Sequence, residues 1–191
     1  MKILGVDPSS TCIGWGLVTV DAEGNVAPEV LCGKIKRPTD LLKNKWEADP
    51  AAQQRAEQIV WMEKELWAVI HDRLPVFDFA VVEWPSPATY HGGKRQHRNA
   101  SGLQIYGAAA GAVFQGLALQ AYPVIAVTPE VWTQGQSKQV RQQLAAQLHV
   151  GYDSADDRGC DISDALCLAG WYGRRLVFQG LTRRPPVPVE L

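Results

Sequence analysis

The spacing of apolar and polar positions along the chain predicts an alternation of strands and helices. Short apolar runs bounded by turn residues indicate strands, and apolar residues at helical spacing indicate amphipathic helices. We expect strands at 2–7, 12–20, within 27–36, at 77–83 and at 122–127. We expect helices at 50–73, 101–120, 136–148 and 163–178, and a further helix start at Thr128-Pro129-Glu130.

The order of these elements indicates an α/β fold. The connections between the first three strands are too short for a crossover, so these strands are expected to be antiparallel. The nearly continuous apolar run at 77–83 is typical of a central strand covered on both faces. Residues 85–98 hold two prolines, two glycines and a basic end, which predicts a loop.

Composition places the chain among ordinary globular proteins. It has 191 residues, of which 46% are hydrophobic and 20% charged, so we expect one domain over 1–180 and an irregular tail over 181–191. The longest apolar run, at 107–114, is short and rich in Gly and Ala, which argues against a membrane span. The first residues lack signal-peptide features, so we expect a cytoplasmic protein.

Neither the cysteines nor the total charge points to a function. Cysteines at positions 12, 32, 160 and 167 form no C-x-x-C pair, so neither a zinc site nor a disulfide framework is predicted. The 19 basic and 20 acidic residues give a net charge of −1, without the basic excess typical of nucleic-acid binders.

Four carboxylates stand out by their positions. Asp7 ends the first predicted strand, Glu83 ends the buried fourth strand, and Asp161 and Asp164 lie three residues apart at the start of the last helix. Hard divalent ions prefer oxygen ligands, and a carboxylate cluster can hold two of them for phosphoryl transfer. Taken singly, Asp161 and Asp164 are equally explained as residues that cap a helix.

The ordered motifs resemble the RuvC family of Holliday-junction resolvases. They are Ile3-Leu4-Gly5-Val6-Asp7-Pro8-Ser9-Ser10, Gly14-Trp15-Gly16, Val81-Val82-Glu83 and Asp161-Ile162-Ser163-Asp164-Ala165-Leu166. The resemblance spans nearly the whole chain. It implies a ribonuclease H-like fold with a five-stranded mixed sheet, in which two parallel strands follow three antiparallel ones and helices flank the sheet.

The resemblance also implies an activity. Family members are homodimeric, magnesium-dependent endonucleases that cut paired strands of four-way junctions and leave 5′-phosphate ends. It implies Asp7, Glu83, Asp161 and Asp164 as catalytic ligands of up to two Mg²⁺ ions, with Mn²⁺ as a substitute.

The chain departs from the family pattern at two places. Prolines flank Ser86 where a wedge-forming aromatic residue is usual, so Trp84 or Tyr90 is the candidate substitute. Trp132 lies where a lysine is common. Such variation in a compact chain suits a phage-type member.

Basic residues near the acids are the candidate DNA contacts. Without the four proposed ligands, 19 basic residues face 16 acidic ones, a balance of +3. Lys94, Arg95, His97 and Arg98 follow Glu83 closely, and such groups make salt-dependent phosphate contacts.

Three other functions stay open on sequence grounds. A branched-DNA or flap nuclease would use the same acids. The segment 7–11 also resembles the phosphate loop of sugar kinases and actin, although one domain leaves no room for a second nucleotide-binding half. A catalytically silent DNA-binding module would not need four acids.

A homodimer is expected because a junction has two equivalent strands to cut. The helix at 101–120 is the candidate interface, since its Gly and Ala residues would allow close helix approach. Packing of the same small residues against the chain's own sheet is the alternative.

Overall fold

The structure is a computed structural model that describes residues 1–38, 50–86, 88–91, 94–97, 100–159 and 161–181. The strands in these ranges are β1 (Lys2–Pro8), β2 (Cys12–Thr19), β3 (Leu31–Lys36), β4 (Phe79–Glu83), β5 (Ala88–His91), β6 (Lys94–His97) and β7 (Val124–Val127). The helices are α1 (Pro50–Arg73), α2 (Ala100–Leu119), α3 (Pro129–Trp132), α4 (Lys138–Leu148) and α5 (Asp161–Phe178).

Five strands form the central sheet in the order β3-β2-β1-β4-β7. Strands β1, β2 and β3 pair antiparallel, whereas β4 and β7 run parallel to β1. Helices α1 and α2 precede β4 and β7, as expected of the crossovers that parallel neighbours require. The predicted ribonuclease H-like arrangement of three antiparallel and two parallel strands is confirmed.

The two faces of the sheet bury separate hydrophobic cores. Successive residues of a strand point to opposite faces, so Ile3 and Val81 pack with Leu166 of α5 on one side. Leu4 and Val82 lie among the residues that pack with α1 and α2 on the other side. The acidic first turn of α5 therefore lies on the first of these faces.

Glycines in β1 and β2 let α5 approach the main chain of the sheet. A Cβ atom on Gly5 would lie 2.1 Å from the carbonyl oxygen of Ala165, and one on Gly14 would lie 2.1 Å from that of Asp161. No side chain fits at either position without moving the helix. These contacts fix where α5 begins relative to the end of β1.

Most predicted elements are confirmed, with small shifts at their ends. The prediction of a loop over 85–98 was wrong for β5 and β6, which pair antiparallel with His91 opposite Lys94. The overlooked sequence signal is the Gly92-Gly93 pair, a favoured two-residue hairpin connection. Helix α5 begins at Asp161 instead of 163, and 182–191 of the expected tail lie outside the described residues.

Helix α2 buries apolar side chains in the core of the protein. Tyr106, Ala110, Val113 and Leu117 are buried. Its segment Gly102–Leu119 is long and apolar enough to cross a membrane by length and composition, a property shared by core helices of globular proteins. The expected absence of a membrane span and the expected cytoplasmic location stay predictions.

Candidate active site

The four predicted acids lie around the carboxyl ends of β1 and β4. Asp7 lies near the end of β1, Glu83 ends β4, and Asp161 and Asp164 occupy the first turn of α5. All four are buried, with 5%, 7%, 8% and 2% of their surfaces exposed, respectively. Buried carboxylates need compensation, so their partners decide what the site can do.

Asp7 is the least compensated of the four. Its carboxylate has no hydrogen-bond or ion-pair partner within the described part of the chain. Burial raises the pKa of Asp7 well above its usual value, and the negative charges of Glu83, Asp164 and Asp161 raise it further, against a smaller opposing effect of Lys138. The other three acids therefore lie close enough to Asp7 for their charges to act on it.

Glu83 is held by two neutral donors. Tyr106 of α2 donates its hydroxyl to Oε1 at 2.6 Å, and Trp132 of α3 donates its indole N–H to Oε2 at 3.0 Å. Burial raises the pKa of Glu83; the Tyr106 hydrogen bond opposes this, and the charge of Asp164 adds to it. Trp132, the residue that departs from the family pattern, is thus part of the site.

Asp161 is paired with Lys34, a lysine on strand β3. Asp7, Gly14 and Lys34 lie opposite one another on β1, β2 and β3, so they form a row across one face of the sheet. Lys34 donates from Nζ to Oδ2 of Asp161 at 2.9 Å. Burial raises the pKa of Asp161, but the hydrogen bonds from Lys34 and Cys12, together with the charges of Lys34 and Lys138, lower it overall.

Asp164 is held by an arginine from α4. Arg141 donates from Nε to Oδ1 at 2.6 Å and from Nη2 to Oδ2 at 3.0 Å, so it binds both carboxylate oxygens. Its guanidinium also lies 5.1 Å from the ring centre of Trp132. Nζ of Lys138 lies 3.5 Å from Oδ2 of Asp164, on a side chain that is 58% exposed. Lys138 is therefore a cation at the site that reaches solvent.

Asp157 caps α5. Its carboxylate accepts hydrogen bonds from the backbone N–H groups of Ile162 and Ser163, both at 2.9 Å, and from the hydroxyl of Tyr152 at 2.9 Å. Asp157 thus performs the capping that the sequence also allowed for Asp161 and Asp164. The latter two carboxylates instead bind Lys34 and Arg141.

The sequence did not reveal the partners of the acids. Lys34, Tyr106, Trp132, Lys138 and Arg141 come from four elements distant in sequence. A partial signal was available in Lys138 and Arg141, which are three residues apart and so share one face of α4.

The candidate DNA-binding residues follow the site in sequence. Lys94, Arg95 and His97 belong to β6, and Arg98 lies outside the described residues. Trp84, a candidate wedge, packs edge-on against Phe114 of α2 with ring centres 5.9 Å apart. Tyr90, the other candidate, lies in β5 opposite Arg95.

The donor set fits a hard divalent cation. In the described ranges, no three His, Cys, Asp or Glu side chains are arranged to hold a metal ion as they stand, and Asp161 and Asp164 are paired with Lys34 and Arg141. Four buried carboxylates nonetheless offer the oxygen ligands that Mg²⁺ and Mn²⁺ prefer. A divalent ion would relieve the repulsion at Asp7. The assignment of the four acids as ligands stays a prediction.

Comparison with known proteins gives one clear relative in sequence and several in structure. No protein-family model matches the chain. Crossover junction endodeoxyribonuclease RuvC of Sphingopyxis alaskensis is 32% identical over 170 residues, which cover 88% of this chain and 94% of the relative. This degree of similarity over nearly both full lengths establishes a common family.

Solved structures share the fold. Thermus thermophilus RuvC in complex with a Holliday junction substrate has a TM-score of 0.63 at 20% identity, covering 95% of this chain and 98% of that one. The yeast mitochondrial Holliday junction resolvase Ydc2 has a TM-score of 0.53 at 11% identity, with coverages of 94% and 82%. These likenesses agree with the sheet order described above.

Proposed function

This chain belongs to the RuvC family of crossover junction endodeoxyribonucleases, and we propose that it resolves four-way DNA junctions by metal-dependent hydrolysis of paired phosphodiesters. The observation that carries the proposal is the group of four buried carboxylates at one end of the sheet. A cluster of buried acids that repel one another destabilises the folded chain, so a structural role does not explain it. Such a cluster suits a site that binds cations.

The proposed ligands are Asp7, Glu83, Asp161 and Asp164, and the proposed ions are Mg²⁺, with Mn²⁺ as a substitute, at up to two per site. A bound divalent ion of this kind activates water and stabilises the leaving oxygen of a phosphodiester. Family membership supports dependence on a divalent metal, and the oxygen-only donor set favours magnesium or manganese over zinc.

The remaining residues of the site orient the carboxylates. Tyr106 and Trp132 each bind one oxygen of Glu83, so the plane of this carboxylate is fixed. Arg141 does the same for Asp164. Lys138 lies beside the acids with its side chain largely in solvent, where its ammonium group can meet a DNA phosphate.

Contacts to the DNA arms are proposed for the hairpin that follows the site. Strand β5 begins five residues after Glu83, and its partner β6 carries Lys94, Arg95 and His97, with Arg98 following in sequence. Cationic groups so close in sequence to the acids would draw the phosphate backbone towards them.

A homodimer with α2 at its interface is also proposed. A Cβ atom on Gly111 would meet no other atom within 4 Å, and one on Gly107 would meet only a Pro85 atom at 3.8 Å, whereas Ala109 and Ala110 are buried in the chain's own core. These glycines are therefore not required for packing within the described part of the chain. An open small-residue surface supports close approach of a second α2.

A cleavage assay on several DNA shapes tests the proposed function. Labelled four-way junction, flap, duplex and single strands are incubated with and without Mg²⁺, and the cuts are mapped. We expect paired, symmetric cuts in the junction only when Mg²⁺ is present. Equal cutting of flaps would indicate a broader branched-DNA nuclease, and binding without any cutting would indicate a silent module. Sedimentation with and without junction tests the dimer.

A further inference from the structure

Two of the four acids are already paired with buried cations. Lys34 binds Asp161 at 2.9 Å and Arg141 binds Asp164 at 2.6 Å, with only 8% and 7% of the two cationic side chains exposed. With Lys138 counted, three positive charges contact the acid cluster, so four carboxylates carry a balance of −1 instead of −4. This balance weakens the attraction of the site for divalent ions.

We propose that Lys34 is an exchangeable counter-cation, which holds Asp161 in the metal-free enzyme, shifts to Asp157 when a divalent ion binds, and thereby sets the metal affinity of the site. The inference rests on the proposed function, because it takes Asp161 as a ligand. It concerns a positioning residue from β3 that acts through Asp161 and Asp157.

The second partner of Lys34 makes the exchange possible. Nζ of Lys34 lies 3.5 Å from Oδ1 of Asp157, which is fully buried and fixed by its bonds to the α5 main chain. An ammonium group displaced from Asp161 would therefore keep an anionic neighbour within reach. The exchange avoids leaving a buried charge without a partner, which would be strongly unfavourable.

Arg141 behaves differently. It binds both oxygens of Asp164, donates a third hydrogen bond to the carbonyl of Gln136, and lies over the ring of Trp132. Four contacts fix this guanidinium, and within the described part of the chain they all involve Asp164 or the segment from α3 to α4. Arg141 therefore stays in place, and Lys34 is the counter-cation that can move away from its acid.

The competition follows from simple electrostatics. The Lys34 ammonium donates a hydrogen bond to Oδ2 of Asp161, so it would compete with a metal ion for this carboxylate, and its positive charge would repel a divalent ion bound there. Because the acids and Lys34 are largely buried, solvent screens this repulsion only weakly. Relocation of the Lys34 ammonium to Asp157 would remove part of this repulsion. Replacement of Lys34 by an uncharged residue would remove the rest.

The test compares Lys34→Met with Lys36→Met by calorimetric titration with Mn²⁺ alone. Lys36 is two residues along the same strand and is exposed, so its replacement gives the same change of net charge away from Asp161. We expect Lys34→Met to bind Mn²⁺ about tenfold more tightly than the unmodified enzyme. Lys36→Met should bind as the unmodified enzyme does. Unchanged or weaker binding by Lys34→Met, or an equal gain in both variants, would overturn the proposal.

Thermal unfolding supplies a second readout. In EDTA, Lys34→Met should melt below the unmodified enzyme, because Asp161 loses its partner, and Mn²⁺ should raise its melting temperature by more than that of the unmodified enzyme. If the Met variant does not fold, Lys34→Gln, which keeps a donor for Asp161, takes its place in both measurements. An equal metal-induced rise in the variant and the unmodified enzyme would contradict the exchange.

The failure of this inference and that of the proposed function can be told apart. If unmodified enzyme binds Mn²⁺ and cuts junctions while Lys34→Met binds no better, only the counter-cation role is wrong. If the unmodified enzyme neither binds Mn²⁺ at millimolar concentration nor cuts DNA, the metal site itself is wrong.

Discussion

The carbonyl group of Asp161 fills the space that a side chain at Gly14 would need: a Cβ atom on Gly14 would lie 2.1 Å from the Asp161 oxygen. Gly14 is opposite Asp7 on the neighbouring strand, so this close approach brings the start of α5 beside Asp7. The absence of a side chain at position 14 therefore allows acids from the two ends of the chain to lie close together.

Replacement of Gly14 by Ala should displace the start of α5. Overpacking of this kind lowers the free energy of unfolding by about 1–3 kcal/mol. The shift would also separate Asp161 from Asp7, so the cleavage rate should fall by more than the loss of folded protein explains. Chemical denaturation and junction cleavage measure the two effects. Gly170→Ala on the same helix is the control, because its added methyl group would lie 3.4 Å from the nearest side-chain atom, an ordinary contact, and Ala favours helix formation. If the two variants have the same free energy of unfolding, the start of α5 can move without a cost in stability.

Asp7→Asn should abolish cleavage while junction binding is kept or strengthened, because one negative charge facing the DNA is removed. The same change should raise the melting temperature in EDTA. Burial and the neighbouring acids raise the pKa of Asp7, so its ionised form opposes folding at neutral pH. Asp72→Asn, an exposed position on α1, should leave both properties unchanged. Cleavage near the normal rate would remove Asp7 from the site.

Tyr106→Phe should move the acidic limb of the pH–rate profile to higher pH. The Tyr106 hydroxyl stabilises the ionised form of Glu83 and lowers its pKa against the effect of burial. Loss of this donor raises the pKa, so Glu83 takes up a proton at a higher pH than before. Tyr122→Phe, whose ring stacks on Phe77, is the control. An unshifted profile would show that Glu83 does not limit activity in this pH range.

Combined replacement of Lys94, Arg95 and Arg98 by Ala should weaken junction binding and flatten its salt dependence. Each lost phosphate contact reduces the slope of log affinity against log salt concentration by about one. The matched control replaces Arg55, Lys64 and Arg73, three exposed cations on α1, by Ala. If the two triple variants lose the same slope, the hairpin contributes only general charge.

His149 should make folding stability fall under mildly acidic conditions. It is buried at the end of α4, and its Nδ1 atom has no hydrogen-bond partner within the described residues. Burial and the charge of Arg174 lower its pKa, so the unfolded chain takes up a proton at a higher pH than the folded chain does. Stability is therefore full above about pH 6.5 and declines below it. From pH 8 to pH 5.5 the melting temperature of the unmodified enzyme should fall relative to that of His149→Leu; a constant difference between the two would contradict this.

The sequence predicted the succession of strands and helices along the chain, and it singled out the four acids, because both depend on local patterns. Apolar runs mark β1 and β4, and the acids follow them directly or share one helical turn. The partners of the acids were not predicted, since Lys34 reaches Asp161 across 127 positions of the sequence. Such pairings depend on sheet register and on helix placement, and neither of these has a short-range signature.

The hairpin was missed for a different reason. Its prolines and glycines were interpreted as signs of a loop, although the same glycine pair is compatible with a two-residue turn between β5 and β6. A strand pair this short and polar lacks the apolar alternation by which strands are usually detected.

The glycine contacts of α5 have a consequence for protein engineering. At Gly5 and Gly14, strands β1 and β2 approach main-chain atoms of helix α5, so a side chain at either position would displace the helix. These three elements carry Asp7, Asp161 and Asp164, and only Glu83 is supplied from elsewhere. They form a transplantable unit: a designed scaffold that reproduces this backbone needs to add one carboxylate to recreate the acid cluster.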